Sequence, residues 1–171
     1  MAERLGRDFF QRDVLEVAPA LLGQRLVRVF PDGTRGRYMI TETEAYRGEE
    51  DKACHASRGR TPRTEVMFGE GGRVYMYFIY GMYWMLNVVT GHRDEPQAVL
   101  IRGINEAAGP GRLTRLLQLD RDFYGEDLVT SSRFWVEGSS RTHPYETTSR
   151  IGIQYASDPW KELPWRFLLT S

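Results

Sequence analysis

The sequence has one cysteine, two lysines and no long apolar run. The lone Cys54 rules out an intramolecular disulfide and argues against a cysteine-based zinc site, as suits a reducing compartment. No stretch offers the roughly 20 apolar residues of a membrane-spanning helix, and Met1 to Asp8 is polar and charged rather than leader-like. A soluble, cytoplasmic protein without membrane attachment is therefore expected. An excess of charge is also missing, since acidic and basic side chains number 23 each, so bulk electrostatics alone does not mark a nucleic-acid binder. Lys52 and Lys161 apart, every Lys or Arg position is arginine, the side chain suited to bidentate phosphate contacts and to stacking on planar rings. Arginine-favouring codons would produce the same bias. Locally the charges separate. Arg58, Arg60 and Arg63 share a Gly/Pro-containing stretch with no acid among them, while Asp120, Asp122, Glu126 and Asp127 gather elsewhere. One anion-binding face on a neutral protein is thus allowed.

Internal repeats, low-complexity tracts and Pro/Gly/Ser linkers are missing as well, so a single domain over residues 1–171 is expected. Asp13 is placed to cap a short helix carrying Val14, Val17, Leu21 and Leu22 and ending at Gly23. Strands are expected from Arg25 to Phe30 and, past the Pro31-Asp32-Gly33 turn, from Arg37 to about Tyr46. Residues 47–72 are too long and polar for an ordinary connection, which marks them as a functional loop. Val74–Tyr80 and Met82–Val89 form an expected hairpin around Gly81, followed by a strand at Ala98–Arg102. Pro110 sits where a helix through Leu113, Leu116 and Leu117 would begin. Phe134-Trp135-Val136, Ile151-Gly152-Ile153 and Trp165 to Leu169 read as short strands. The expected class is α+β: a curved, largely antiparallel sheet, flanking helices and a protruding β-hairpin.

Two segments invite chemistry. Thr41-Glu42-Thr43-Glu44-Ala45-Tyr46 lies in a strand yet offers no obvious apolar face. Regular pleating puts Glu42, Glu44 and Tyr46 on one side, a poor arrangement for stability because like charges repel and Glu is disfavoured in strands. A solvated edge strand would tolerate it, and parity does not separate the two glutamates. The run Val74 to Met85 carries four tyrosines, a phenylalanine and a tryptophan. Tyr75 and Tyr77 share one face, so it can be either an aromatic wall or an aromatic core hairpin, and Tyr80 beside Gly81 can stand exposed at the tip. His55, His92 and His143 form no metal-ligand spacing, and no Walker or dinucleotide motif is present, so neither metal nor cofactor is expected.

Taken together, Glu42-Thr43-Glu44-Ala45-Tyr46, His55, Thr61-Pro62-Arg63, Met67-Phe68, Tyr77 to Tyr83, Asn87, Arg102, Gly109-Pro110-Gly111-Arg112-Leu113, Arg150-Ile151-Gly152-Ile153 and Pro164-Trp165-Arg166-Phe167 resemble the alkyladenine (3-methyladenine/methylpurine) DNA glycosylase family in its bacterial form. The likeness runs from Leu5-Gly6-Arg7-Asp8-Phe9-Phe10 almost to the C-terminus. It implies Glu44 as general base and Arg102 beside it and its water. Tyr46, His55 and Tyr77 would sandwich a flipped base, with Asn87 disfavouring guanine's amino group and Met67 in the neighbouring DNA-facing loop. Tyr80 would be the residue that fills the gap in the duplex. Arg58, Arg60 and Arg63 are candidate backbone contacts. Thr90 to Gln97 is slightly longer, and Leu119 to Arg133 shorter, than in vertebrate members.

The implied activity is flipping and hydrolytic excision of alkylated or deaminated purines (3-methyladenine, 7-methylguanine, hypoxanthine, ethenoadenine) from damaged double-stranded DNA. A monomer with no obligate protein partner is expected, nucleoid-associated in a bacterium. Strand cleavage usually needs an amine that forms a Schiff base, and neither lysine falls in a matched catalytic motif, so no lyase activity is expected. The alternatives are a damaged-DNA-binding module of the same fold without turnover, and a small-molecule glycosidase using Glu42 and Glu44.

Overall fold

A computed structural model describes residues 3–138 and 141–170. The chain opens with β1 (Glu3–Arg4), one turn of helix α1 (Arg7–Phe10) and α2 (Val14–Leu21). Helix α2 begins as the sequence requires: the Asp13 carboxylate accepts the Leu15 N–H at 2.8 Å, satisfying an otherwise orphaned donor. Val14, Val17, Ala18 and Leu21 face inward, and Gly23, at φ 83°, takes the left-handed position that ends the helix. Strand β2 (Arg25–Val29) then turns into β3 (Arg35–Arg47), with the Asp32 side chain accepting the Thr34 N–H across the turn.

Two 3-10 turns (His55–Arg58 and Glu65–Phe68) interrupt the long polar loop. There follow β4 (Val74–Ile79), β5 (Tyr83–Thr90), β6 (Gln97–Ile104), β7 (Ala107–Ala108) and helix α3 (Pro110–Leu116) with proline in its first turn. The described chain closes with β8 (Phe134–Gly138), β9 (Tyr145–Thr148) and β10 (Arg166–Leu169). All pairings are antiparallel, in the order β1-β8-β2-β3-β6-β5-β4, with β10 and β9 joining through β3 and β7 through β6. The α+β expectation holds.

Strand β3 organises the molecule. Its first half pairs with β2, and its second half lies between β6 and β10. This overturns the solvated-edge reading of the Glu42–Tyr46 stretch, because both backbone edges there are occupied. The opposite face is also not idle: Thr43 and Ala45 are fully buried, and the Thr43 hydroxyl donates to Ala18 O of α2 at 2.9 Å. A hydroxyl that finds a helix carbonyl serves as core where the sequence shows only a polar residue. The core beneath the sheet is mainly aliphatic, with Leu21, Leu22, Leu26, Ile40, Leu86 and Ile101 fully buried beside Phe10 and Phe134, each worth about 1.5–3 kcal/mol relative to exposure.

One expectation for the tail fails, and one strand there has no sequence signal. Ile151-Gly152-Ile153 is a loop, since Gly152 takes φ 74° and Ile151 gives its N–H to a side chain rather than to a neighbouring strand. Strand β9 is absent from the sequence reading because Tyr145, Glu146 and Thr147 are all exposed and show no alternation of apolar and polar residues.

Candidate active site

The fold collects the second half of β3, the β4–β5 hairpin, β6, the start of α3 and two loops around one cleft of about 1050 Å³. The register between β3 and β6 breaks where the cleft needs it. Ile40 faces Ile104, Glu42 faces Gly103 and Thr43 faces Ile101, so Thr41 on one strand and Arg102 on the other have no opposite number. Such irregularities re-aim side chains. Here the break puts the Arg102 Nε 3.1 Å from Glu42 Oε2 and 3.8 Å from Glu44 Oε2.

Parity leaves the two glutamates alike, but their surroundings differ. Glu42 is held by two guanidinium groups, the Arg102 Nε and the Arg166 Nε, the latter at 2.6 Å. Glu44 is completely buried. Its Oε1 accepts the Tyr46 hydroxyl at 2.8 Å and its Oε2 accepts the Ile151 backbone N–H at 2.6 Å. Burial pushes the Glu44 carboxyl above its ordinary range against the pull of Arg102, the Ile151 N–H and the Tyr46 hydroxyl. Burial first, and then the Glu44 charge, pushes the Tyr46 phenol well up, so it remains a donor. Glu44 lies one layer behind the cleft wall, and its three partners Tyr46, Arg102 and Ile151 form that wall.

The aromatic wall is present, and the core-hairpin alternative holds for one face only. Tyr75 and Tyr77 line the cleft, while Met76 is buried in the main core on the reverse side. The His55 ring stands edge-on to Tyr77 at 4.5 Å, and its Nδ1 lies 2.8 Å from the Tyr75 hydroxyl. Burial, reinforced by Arg63 and Arg58, pulls His55 down to about 4, so it is a neutral ring at physiological pH. Tyr46, His55, Tyr77, Asn87, Met67 and Arg102 all line this one cleft. Asn87 donates to Tyr75 O at 3.2 Å. Met67, expected in a DNA-facing loop, is buried within the cleft wall at 1% exposure, because the 3-10 turn at Glu65–Phe68 folds it inward against Cys54, Tyr75 and Val89.

Tyr80 stands at the hairpin tip with 82% of its surface exposed. Its φ of 57°, followed by Gly81 at 62°, and the Met82 N–H donated to Ile79 O make the tight reversal. A bulky residue in the left-handed region costs about 1–2 kcal/mol, so local stability does not account for its place.

The three candidate arginines divide. Arg58 and Arg63 line the cleft, with the Arg63 guanidinium 5.2 Å from the centre of the Tyr77 ring. Arg60 lies outside the lining and pairs with Asp94 at 2.6 Å. Lys52 and Arg112 join the lining instead, giving five cationic side chains with Arg58, Arg63 and Arg102, and no acid among the described lining residues. Arg112 and the Ile151 N–H are parts of the site given no role in the sequence. The motif containing Gly109 to Leu113 was the available signal for Arg112. Among the described residues no group of three or more His, Cys, Asp or Glu side chains is arranged to hold a metal ion, and no helix is long and apolar enough to cross a membrane.

A cleft lined by cations and aromatic rings, with a shielded carboxylate behind it, suits a DNA glycosylase. The sequence model of the methylpurine-DNA glycosylase family matches residues 8–107 and 105–171. A protein of Desulfitobacterium hafniense (strain Y51) is 42% identical over 98% of this chain and 95% of its own length. One from Methanocella arvoryzae is 43% identical over 95% and 90%, and one from Rickettsia felis is 42% identical over 97% and 93%. All three are provisionally designated 3-methyladenine DNA glycosylases. The chain belongs to the methylpurine-DNA glycosylase family. It is accordingly a DNA-repair hydrolase that initiates base excision.

Proposed function

We propose that the protein extrudes an alkylated or deaminated purine from duplex DNA into this cleft and hydrolyses its N-glycosidic bond, with Glu44 as general base. The observation that carries the reading is the Glu44 carboxylate, fully buried and held by Tyr46 and Ile151 directly behind the aromatic slot. A buried carboxylate with a raised pKa beside a cleft is poised for proton transfer. Glu42, neutralised by two arginines, is not available for that task.

Glu44 takes a proton from water as the water oxygen bonds to C1′ on the face opposite the base. The C1′–N bond breaks, and its electron pair leaves with the purine. A ring-alkylated purine such as 3-methyladenine or 7-methylguanine starts as a cation and departs neutral, so it needs no proton. The tyrosine faces attract such a cation by about 0.5–2 kcal/mol, and neutral His55 adds no repulsion. Hypoxanthine and ethenoadenine fit the same flat slot but leave only with a proton supplied from elsewhere, so their excision is slower. Tyr80 fills the gap left by the extruded nucleotide as apolar wedges do in minor-groove proteins. Arg58, Arg63 and Arg112 hold the flanking phosphates. The enzyme acts as a monomer without cofactor or metal. Lys52 reaches the cleft, but it is exposed at the rim, away from the dry surroundings that activate an amine nucleophile, so the product is an intact abasic strand.

The test is a panel of duplexes with one 7-methylguanine, hypoxanthine, ethenoadenine or uracil each, incubated in chelator and scored for abasic sites before and after alkali. Alkali-dependent release from the purine lesions and none from uracil is expected. Tight binding without release from any of them would favour a damage-recognition module, and breaks without alkali would reveal a lyase.

A further inference from the structure

The 150–153 loop poses a question that packing does not answer. Ile151 is 45% exposed, so its side chain does not fix the backbone, yet its N–H meets a wholly buried carboxylate at 2.6 Å. The neighbouring Arg150 is held from several sides. Its Nη1 donates to Asp51 Oδ2 at 2.6 Å and Ala45 O at 2.9 Å, and its Nη2 donates to Asp51 Oδ1 at 3.0 Å and Trp160 O at 2.9 Å. Both charged side chains have no exposed surface. Asp51 in turn accepts the Arg47 and Ala53 N–H groups, and the guanidinium lies 5.0 Å from the centres of both the Tyr46 and Trp165 rings. The end of β3, the start of the long loop and the chain at 150 and 160 therefore converge on one ion pair. A buried pair is weak evidence for stability, since apolar replacement is often neutral or better, which leaves positioning as its function.

We propose that Asp51 and Arg150 are positioning residues for catalysis: their ion pair pins the backbone at Arg150 so that the Ile151 N–H is delivered to Glu44 and fixes the orientation of its carboxylate toward the water. The proposal rests on Glu44 being the base. Glu44 is faced by Glu42 and Tyr46 from β3, Arg102 from β6, Tyr77 from β4 and the Ile151 N–H, with Arg166 from β10 acting through Glu42. Of these the Ile151 bond is the contact set by Arg150.

A hydrogen bond to the ionised form favours ionisation, so losing it must raise the pH at which excision switches on. The experiment measures single-turnover release of 7-methylguanine against pH for three proteins. These are the wild type, a variant with the peptide N–H of Ile151 replaced by an ester oxygen, and Asp51→Asn. The ester should move the acid limb upward by about one pH unit, the size expected for one hydrogen bond to a charged group. Asp51→Asn discriminates by sign. Acting through loop position, it moves the limb up with the ester. Acting only by charge, it leaves a buried unpaired cation that favours ionised Glu44 and moves the limb down. Two upward shifts support the proposal, and an unmoved limb in the ester variant or a downward shift in Asp51→Asn overturns it. If Asp51→Asn does not fold, Asp51→Glu takes its place: it keeps the charge and displaces the loop, so an upward limb supports the proposal and an unmoved limb overturns it. Glu44→Gln is run alongside. Retained release there would sink the base assignment itself, whereas lost release with an unmoved ester limb sinks only the positioning role.

Discussion

Glu44 is a residue whose charge the fold tolerates rather than favours. Its folded-state pKa is raised by burial, so the protein binds this proton more tightly folded than unfolded. The associated stability is fully present below the unfolded value near 4.3 and is lost as pH rises through the higher folded value. Glu44→Gln imitates the neutral form, and its amide still accepts the Ile151 N–H while donating to the Tyr46 hydroxyl, whose proton can rotate away. The variant should therefore match the wild type in melting temperature near pH 4 and exceed it at pH 7, where the wild-type carboxylate carries its buried charge. Thermal melts across that range check it; a lower melting temperature at pH 7 would mean that the carboxylate is structural. At this scale the sequence was informative about type and parity and silent about partners. Glu42, Glu44 and Tyr46 on one face followed from pleating. What separates the glutamates is the arginines at 102 and 166 and an N–H at residue 151, and no local pattern reports contacts across 60 to 124 residues.

At the scale of elements, the hairpin and the loops behave differently under sequence reading. The β4–β5 hairpin was legible because Gly81 and the alternation of Tyr75, Met76, Tyr77 and Phe78 are local signals. The break in register at Thr41 and Arg102 was not, because it arises from how β3 meets β6. The 150–153 segment is hidden for the same reason: two isoleucines look like a strand, but Gly152 takes φ 74° and the Ile151 N–H goes to Glu44, 107 residues away. The hairpin carries its own prediction. Tyr80→Gly relieves left-handed strain while adding freedom to the unfolded chain, and these roughly cancel, so the melting temperature should stay within about 2 °C of the wild type. Excision from a fully paired duplex should fall by roughly tenfold or more. Excision from a single-stranded lesion should fall much less, because there is less stacking to replace. Equal losses on both substrates would remove the wedge from the account.

The whole molecule is neutral, with 23 charges of each sign, yet its cleft is lined by five cations and no acid among the described lining residues. The division matters more than the sum, and composition conceals it. Each arginine that meets a phosphate adds about 0.9 to the slope of log affinity against log salt. Arg58→Ala and Arg112→Ala should each reduce that slope by about 1, and Arg60→Ala should leave it unchanged, since its guanidinium is engaged with Asp94 outside the cleft. Titrations of a lesion duplex at several salt concentrations measure this, and a full slope change for Arg60→Ala would redraw the path of the DNA.

The central claim is that Glu44 performs the chemistry and not the recognition. Its most direct test is single-turnover excision of 7-methylguanine by Glu44→Gln, with binding to the same duplex measured in parallel. Release should fall by about a thousandfold, the middle of the range that general-base catalysis supplies, with affinity within a few-fold of the wild type. Release at an undiminished rate would contradict it.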